Sequence, residues 1–359
     1  MVRVRSVILK QFRCFSSLMV SLDAPVVCIQ GDNGSGKTSF LESLYFAGCL
    51  RSFRTHVPQE LVFFGQKAFF IQLEVGVQNA DAPLSHQIQV GCMAAKRSVK
   101  VNNKSITAAR DLLSYYRTVS MSAEDLALIA DGPHVRRAFF DHILIFYQPD
   151  FVAVAKKFST IVQQRNELLA KGMHDREYIW TSQLWQATVD IQTFRQQLIV
   201  RFQELIADII AIYMPTLSVT FVYKSKKNMG QSFDAFLSHY QTWQHDEVRQ
   251  GRSLFGAHLD DIELHFADKK SRTYASRGQQ KLLVLLMKYV QAQLFIERVG
   301  KPVMLLDDFI TDFDAHHGVI ALDLLKKLDV QLIFSLPHAY DQWKSHISLS
   351  EALFIKFPI

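Results

Sequence analysis

At 359 residues the chain exceeds what one ordinary hydrophobic core holds, which excludes a peptide toxin or a lone binding motif and allows one large domain or two modest ones. It is 49% hydrophobic and 21% charged, with 27 Phe, 4 Trp and 11 Tyr, so material for a packed core is ample and a disordered chain is excluded. The net charge of +6 is mild but uneven: residues 1–110 hold 13 Lys+Arg against 6 Asp+Glu, residues 111–264 hold 15 against 18, and residues 265–359 hold 12 against 10, a bias toward a polyanionic partner for the first stretch. Met1-Val2-Arg3-Val4-Arg5 alternates charge with Val, and no apolar run reaches bilayer length, so neither a signal peptide nor a membrane helix is expected. Cys14, Cys28, Cys49 and Cys92 show no paired spacing, which fits a reducing cytoplasm and gives neither a disulfide framework nor a zinc knuckle.

In chain order, alternation over residues 2–9, a second candidate at 18–22 and the apolar run Val26-Val27-Cys28-Ile29 predict strands, and a Gly-rich turn follows at once. Further strands are expected at 69–77, 86–93, 98–101 and 105–106, the last two flanking the turn pair Asn102-Asn103. From Ala123 to Tyr213 the pattern turns helical, broken at Gly132-Pro133, and the amphipathic stretch 158–212 predicts helices packed on each other. A strand is expected at 217–223 and a loop at 224–231. After that, α/β alternation resumes with a helix at 278–299, a strand at 303–306, a helix at 319–328 and a strand at 330–334. The expected organisation is an α/β sheet domain built from residues 1–108 and 262–359, interrupted by a mainly helical insert at 109–261.

Gly31-Asp32-Asn33-Gly34-Ser35-Gly36-Lys37-Thr38 fits Gly, four residues, Gly-Lys-Thr, between a buried-strand run and a helix. Glycines let backbone N–H groups close on phosphates, Lys37 neutralises the β/γ oxygens, and the Thr38 hydroxyl suits Mg²⁺, with Ser39 next in line. Val303-Met304-Leu305-Leu306 is an apolar strand ending in Asp307 and Asp308, where Asp307 would hold Mg²⁺ and Asp308 would orient or deprotonate the attacking water. Ser276-Arg277-Gly278-Gln279-Gln280 opens an amphipathic helix, so Ser276 reads either as an N-cap or, with Gly278 and Gln279, as part of an anion site. His316-His317 on a helix would point to different faces and predicts no metal site.

At these residues the sequence resembles the ABC-type ATPase superfamily and, within it, the RecF family of recombinational-repair proteins. The P-loop resembles that family's Walker A, residues 276–280 its signature, Asp307-Asp308 its Walker B, and Thr311-Asp312-Phe313-Asp314 its D-loop. Phe12-Arg13-Cys14-Phe15, Leu50-Arg51-Ser52-Phe53-Arg54, Gly132-Pro133 through Arg136-Arg137, and Gly256-Ala257-His258-Leu259-Asp260-Asp261 resemble further family motifs, so the likeness covers nearly the whole chain. The chain departs from the family at Ala257 and Leu259, where Pro and Arg are usual, and in its D-loop. Ser335, in Phe334-Ser335-Leu336-Pro337, stands where many superfamily members place a switch histidine, and His338 comes slightly late.

The resemblance implies an ATP-dependent homodimer in which Lys37 and Thr38 bind ATP and Mg²⁺ in cis while Ser276 and Gly278 meet the same ATP in trans. It implies DNA binding, weak hydrolysis used as a switch, a RecR-like mediator, loading of recombinase at gaps, and support of replication restart and the SOS response. Because Asp308 is shorter than the Glu usual in the superfamily, slow turnover is expected. Arg51, Arg54, Lys67, Lys96, Arg97, Lys100 and Lys104 are candidate phosphate contacts, and Arg136 and Arg137 could touch nucleotide or brace the insert. The alternative is the ATPase subunit of a membrane transporter or another ABC-type ATPase. Against a transporter stands the long, helix-filled separation of Lys37 from Ser276; the insert is too short for a structural-maintenance coiled coil, and no acidic cluster follows Asp314 as a nuclease would need.

Overall fold

A computed structural model describes residues 2–78, 83–94, 96–106, 109–172, 177–309, 311, 313, 315–336 and 352–357. The chain divides into two compact units, one made of the residues up to Leu126 together with those from Ser276 onward, the other of Ala127–Ala275.

In the first unit β1 (Val2–Phe12) and β2 (Phe15–Ser21) form a hairpin, and β3 (Val26–Gly31) leads into α1 (Lys37–Cys49). With β4 (Ala68–Gln78), β5 (Pro83–Met93), β6 (Lys96–Val101) and β7 (Lys104–Ser105), the hairpin extends into a six-stranded antiparallel sheet ordered β2-β1-β4-β5-β6-β7. A short α2 (Ala109–Leu112) precedes β8 (Thr118–Met121). The second unit holds α3 (Ala127–Ala130), α4 (Pro133–Tyr147), α5 (Phe151–Ala170), α6 (Glu177–Tyr213), β9 (Val219–Lys224), α7 (Phe233–Tyr240), α8 (Gln244–Gln250), β10 (Asp261–Phe266), β11 (Lys269–Lys270) and α9 (Ser271–Tyr274). The chain then re-enters the first unit with α10 (Arg277–Arg298), β12 (Val303–Leu306), α11 (Ala315–Lys327), β13 (Leu332–Leu336) and β14 (Ala352–Phe357).

The second sheet of the first unit is parallel and ordered β14-β3-β13-β12-β8. Its inner strands are continuous apolar runs because both faces are covered: Val27, Cys28 and Ile29 on β3 and all of β12 are buried. Helix α1 is apolar nearly all round and correspondingly buried, contributing Phe40, Leu41, Leu44, Phe46 and Ala47 to a core shared with β1, β4, β5 and β12. One polar residue is built into that core. The fully buried Gln331 carboxamide donates to the carbonyls of Val4, Leu22 and Ala24 and accepts from the Val4 N–H at 2.8 Å, so its dipoles are matched on every side.

The division of the chain differs from the expected 109–261 insert at both ends. Residues 109–126 stay with the sheet unit because β8 pairs in parallel with β12, Thr118 opposite Val303 and Met121 opposite Leu306. Residues 262–275 stay with the insert because β10 pairs with β9 and β11. Within the second unit α5 and α6 pack along each other, as the amphipathic pattern requires, with Phe151 and Phe194 rings 5.7 Å apart. Phe140, Phe202 and Phe221 join α4, α6 and β9 through edge-on ring contacts. Arg165 is 1% exposed and held by Glu247 at 2.5 Å, Ser253 and Tyr240 at 2.8 Å each, and Thr181, with the Phe255 ring 5.0 Å away.

Candidate functional site

The end of β3, flanked by β13 and β14, delivers the chain at Gly31 into the loop that opens α1 at Lys37, the carboxyl edge of a parallel sheet where α/β folds bind ligands. Two glycines there are sterically required. Gly36 has a φ of 97°, and a Cβ on it would lie 2.8 Å from Phe15 Cζ and 2.9 Å from Cys14 Sγ. A Cβ on Gly31 would fall 2.5 Å from Ser35 Oγ and 2.6 Å from the Phe357 carbonyl oxygen. The β1–β2 turn and β14 thus wall the loop, and the buried Ser35 Oγ has no partner among the described residues. Lys37 is buried and folds back on the loop, its ammonium donating to the carbonyls of Gly31 at 2.7 Å and Asp32 at 2.8 Å. Asp32, Asn33 and Gly34 are exposed at the loop tip, and Thr38 and Ser39 are half-buried in the first turn of α1.

Asp307 follows β12 and is brought to this loop. Its N–H donates to the Met121 carbonyl, and its buried carboxylate accepts from Ser335 Oγ at 2.6 Å and stands near the Thr38 hydroxyl. Burial raises its pKa above the usual carboxylate range, with Asp308 and Glu124 pushing the same way and the two hydroxyls pulling back. A carboxylate short of positive charge, beside a hydroxyl, is a hard-oxygen donor pair that suits Mg²⁺. Orphaned Ser35, the Lys37 ammonium and the N-terminus of α1 suit a phosphate chain.

Asp308 is exposed and has a left-handed φ of 45° without being glycine. Its N–H donates to Ser335 Oγ at 2.9 Å, and its carbonyl accepts from Lys281 Nζ at 2.8 Å and Thr311 Oγ1 at 2.9 Å. One serine within β13 therefore touches both acids. Asp312, Asp314, Pro337 and His338 lie outside the described residues.

Ser276, Gly278 and Gln279 stand at the start of α10, where their hydrogen bonds form a capping box. Ser276 Oγ accepts from the Gln279 N–H, and the Gln279 side chain accepts from the Ser276 N–H. The N-cap reading of Ser276 is thus realised, and the exposed helix start remains an anion-friendly surface. Lys288, farther along α10, pairs with Asp125 at 2.6 Å.

A residue that pattern reading did not single out organises the loop's surroundings. Glu42 is fully buried on α1 and takes a two-pronged hydrogen bond from Arg13 at 2.8 and 2.7 Å and another from Ser52 at 2.5 Å, with Arg54 3.9 Å away. Ser52 Oγ in turn accepts from the N–H groups of Arg54 and Thr55. The signal was there: Glu42 is the sole charged residue between Lys37 and Arg51. Of the basic candidates, Arg51 donates to Tyr45, Arg54 lies between Glu42 and Glu124, and Arg97 binds the Leu50 carbonyl. Lys67, Lys96, Lys100 and Lys104 are exposed, with Lys96 and Lys100 on one face of β6. Arg136 grips Asp261 at 2.8 and 3.0 Å and Arg137 donates to the Asp260 carbonyl, so both brace the second unit.

The family described as RecF/RecN/SMC N terminal domain matches residues 3–340. The DNA replication and repair protein RecF of Halalkalibacterium halodurans is 32% identical over 319 residues, 85% of each chain. Among solved structures, the recombination mediator protein RecF of the RecFOR pathway superposes with a TM-score of 0.80 both as RecF-ATPrS, at 22% identity, and as RecF-ATP, at 21%, each covering 95% of this chain and 94% and 93% of theirs. The mixed α/β architecture is therefore that of the ABC-type ATPase heads, and the chain belongs to the RecF family.

Proposed function

We propose that this chain is an ATP-switched DNA-binding protein of recombinational repair. The observation that carries the reading is the Asp307 carboxylate set near the Thr38 hydroxyl at the end of β12, which brings the strand-end acids to the phosphate loop although they are far apart in sequence. Relatives named as DNA replication and repair proteins, and RecF structures described with ATP, support it. The same family membership sets aside the transporter alternative, and among the described residues no helix is long and apolar enough to cross a membrane.

In this reading the amides of residues 31–39 receive the phosphates, and Lys37 leaves the Gly31 and Asp32 carbonyls for the β/γ oxygens. Thr38 and Asp307 would hold Mg²⁺, which would supply positive charge against the charge developing on the transferred phosphoryl group. Asp308 accepts the proton of the attacking water. Ser276, Gly278 and Gln279 face the γ-phosphate held by a second copy, so ATP closes a homodimer and hydrolysis opens it. Lys67, Lys96, Lys100 and Lys104 are the cations best placed for DNA phosphates, and each such contact would contribute a slope of roughly −0.9 to the dependence of log K on log salt. This reading includes a RecR-like mediator and loading of recombinase at gaps, supported by the RecFOR pathway named for the solved RecF structures.

The test is fluorescence anisotropy of labelled DNA with and without ATP and Mg²⁺. Binding that needs ATP, is lost in Lys37→Met and persists in Asp308→Asn is the expected result. ATP-independent binding in both variants would refute the switch.

A further inference from the structure

Helix α10 is joined to the hydrolytic acid of its own chain by one buried side chain. Lys281, on the second turn after Ser276, sends its ammonium to the Asp308 carbonyl at 2.8 Å and to Thr311 Oγ1 at 3.0 Å, and lies 5.7 Å from the Phe313 ring centre. The peptide it grips belongs to a non-glycine residue at a φ of 45°. Such a conformation is strained for a non-glycine residue and persists only where neighbours over-determine it. Here the neighbours are Ser335 on the N–H side and Lys281 with Thr311 on the carbonyl side. Because the backbone at Asp308 sets where its carboxylate stands, whatever moves α10 acts on that carboxylate through Lys281. Ser276 is five residues away on the same helix, about 7.5 Å along a rigid element whose first turn is locked by the capping box.

We propose that Lys281 is a positioning residue that makes hydrolysis at each ATP site depend on the signature of the same chain being engaged by the partner's ATP. The inference rests on the proposed dimer, in which a chain's P-loop and Asp308 belong to one site and its Ser276 to the other. Capture of the partner's γ-phosphate at Ser276 fixes α10, α10 fixes the Asp308 peptide, and the two sites then turn over together. A base held from its own signature helix cannot act while that helix is unoccupied.

Two measurements test this. In Lys281→Met, kcat should fall about tenfold or more while the ATP KM and ATP-driven dimerisation seen by light scattering change less than about twofold, and Lys281→Arg, which keeps a donor, should recover most of the turnover. Wild-type turnover in Lys281→Met, or Arg no better than Met, overturns the proposal. The second measurement leaves Lys281 intact. In mixed dimers of wild type with Ser276→Arg, one composite site has a sound P-loop and a sound signature, but its Asp308 belongs to the chain whose own signature is disabled. Coupling predicts turnover below about a tenth of wild type, whereas independent sites give about half and overturn it. Failure of the underlying reading is distinct, because the wild-type chain would then not dimerise with ATP at all.

Discussion

Replacing Gly36 with alanine tests the phosphate-loop reading at its most constrained point. Two penalties arise from the structure. A φ of 97° costs an L-residue about 1–2 kcal/mol relative to glycine. The new methyl would also stand 2.8 Å from Phe15 Cζ and 2.9 Å from Cys14 Sγ, an overpacking worth about 1–3 kcal/mol. The sum is roughly 2–5 kcal/mol, equivalent to roughly 30- to 4000-fold in an equilibrium constant. If the loop yields, the amides leave their phosphate geometry and the cost appears as lost ATP affinity; if it holds, the cost appears as lost stability. Fluorescent-nucleotide titration and denaturant unfolding together should recover it. Gly34→Ala is the internal control, because its φ of 84° carries the same strain while nothing lies within 4 Å of the new methyl. It should lose only about 1–2 kcal/mol. Were Gly36→Ala no worse than Gly34→Ala in the summed measurements, the steric account of this loop would be refuted.

Two further predictions concern the second unit. Arg165→Met leaves the buried Glu247 carboxylate without its cation and should cost about 3–5 kcal/mol in urea unfolding, whereas Arg165→Met with Glu247→Leu should recover most of that; additive losses would show that the pair is not coupled. His258 has its pKa lowered to about 4, first by burial and then by Arg137, so the folded state holds it neutral. The unfolded chain binds the extra proton below its ordinary value of about 6.5. Stability from this group is therefore complete above pH ~6.5, falls as pH drops toward about 4, and loses on the order of 3 kcal/mol at most. His258→Phe should flatten that part of the stability-pH curve, and an unchanged curve would remove His258 as its cause.

What could be read from the sequence is what is local. The P-loop lies within eight consecutive residues, the Asp307–Asp308 pair closes an apolar run of four, and the Ser276 cap announces itself by Gln279 three positions on. Elements defined by distant partners escaped. β8 is four residues long and exists because β12 lies beside it; β14 exists because β3 does, and neither strand's own stretch of sequence gives the partner away. Glu42 and Lys281 look like ordinary charges on helices, and only the fold turns one inward to gather Arg13 and Ser52 and the other onto the Asp308 peptide. The seven basic candidates could be narrowed only once their neighbours were known, since Arg51, Arg54 and Arg97 turn back onto protein groups.

Ser335 links the two strand-end acids through one hydroxyl. It cannot carry charge, but it is donor and acceptor at once, giving its proton to Asp307 and accepting from the Asp308 N–H. Ser335→Ala removes a charge-assisted bond worth about 1.5–3 kcal/mol and leaves the Asp308 amide without that acceptor. If both acids work in hydrolysis, turnover should fall roughly ten- to hundredfold and the Mg²⁺ concentration for half-maximal rate should rise, because Asp307 loses the donor that orients it. Ser335→Thr keeps the hydroxyl and should stay close to wild type. Ser335 is fully buried, so denaturant unfolding measured alongside separates lost stability from lost turnover. Turnover and Mg²⁺ dependence unchanged in Ser335→Ala would mean that the strand-end acids hold their geometry without it, and that the strained Asp308 peptide depends on Lys281 and Thr311 alone.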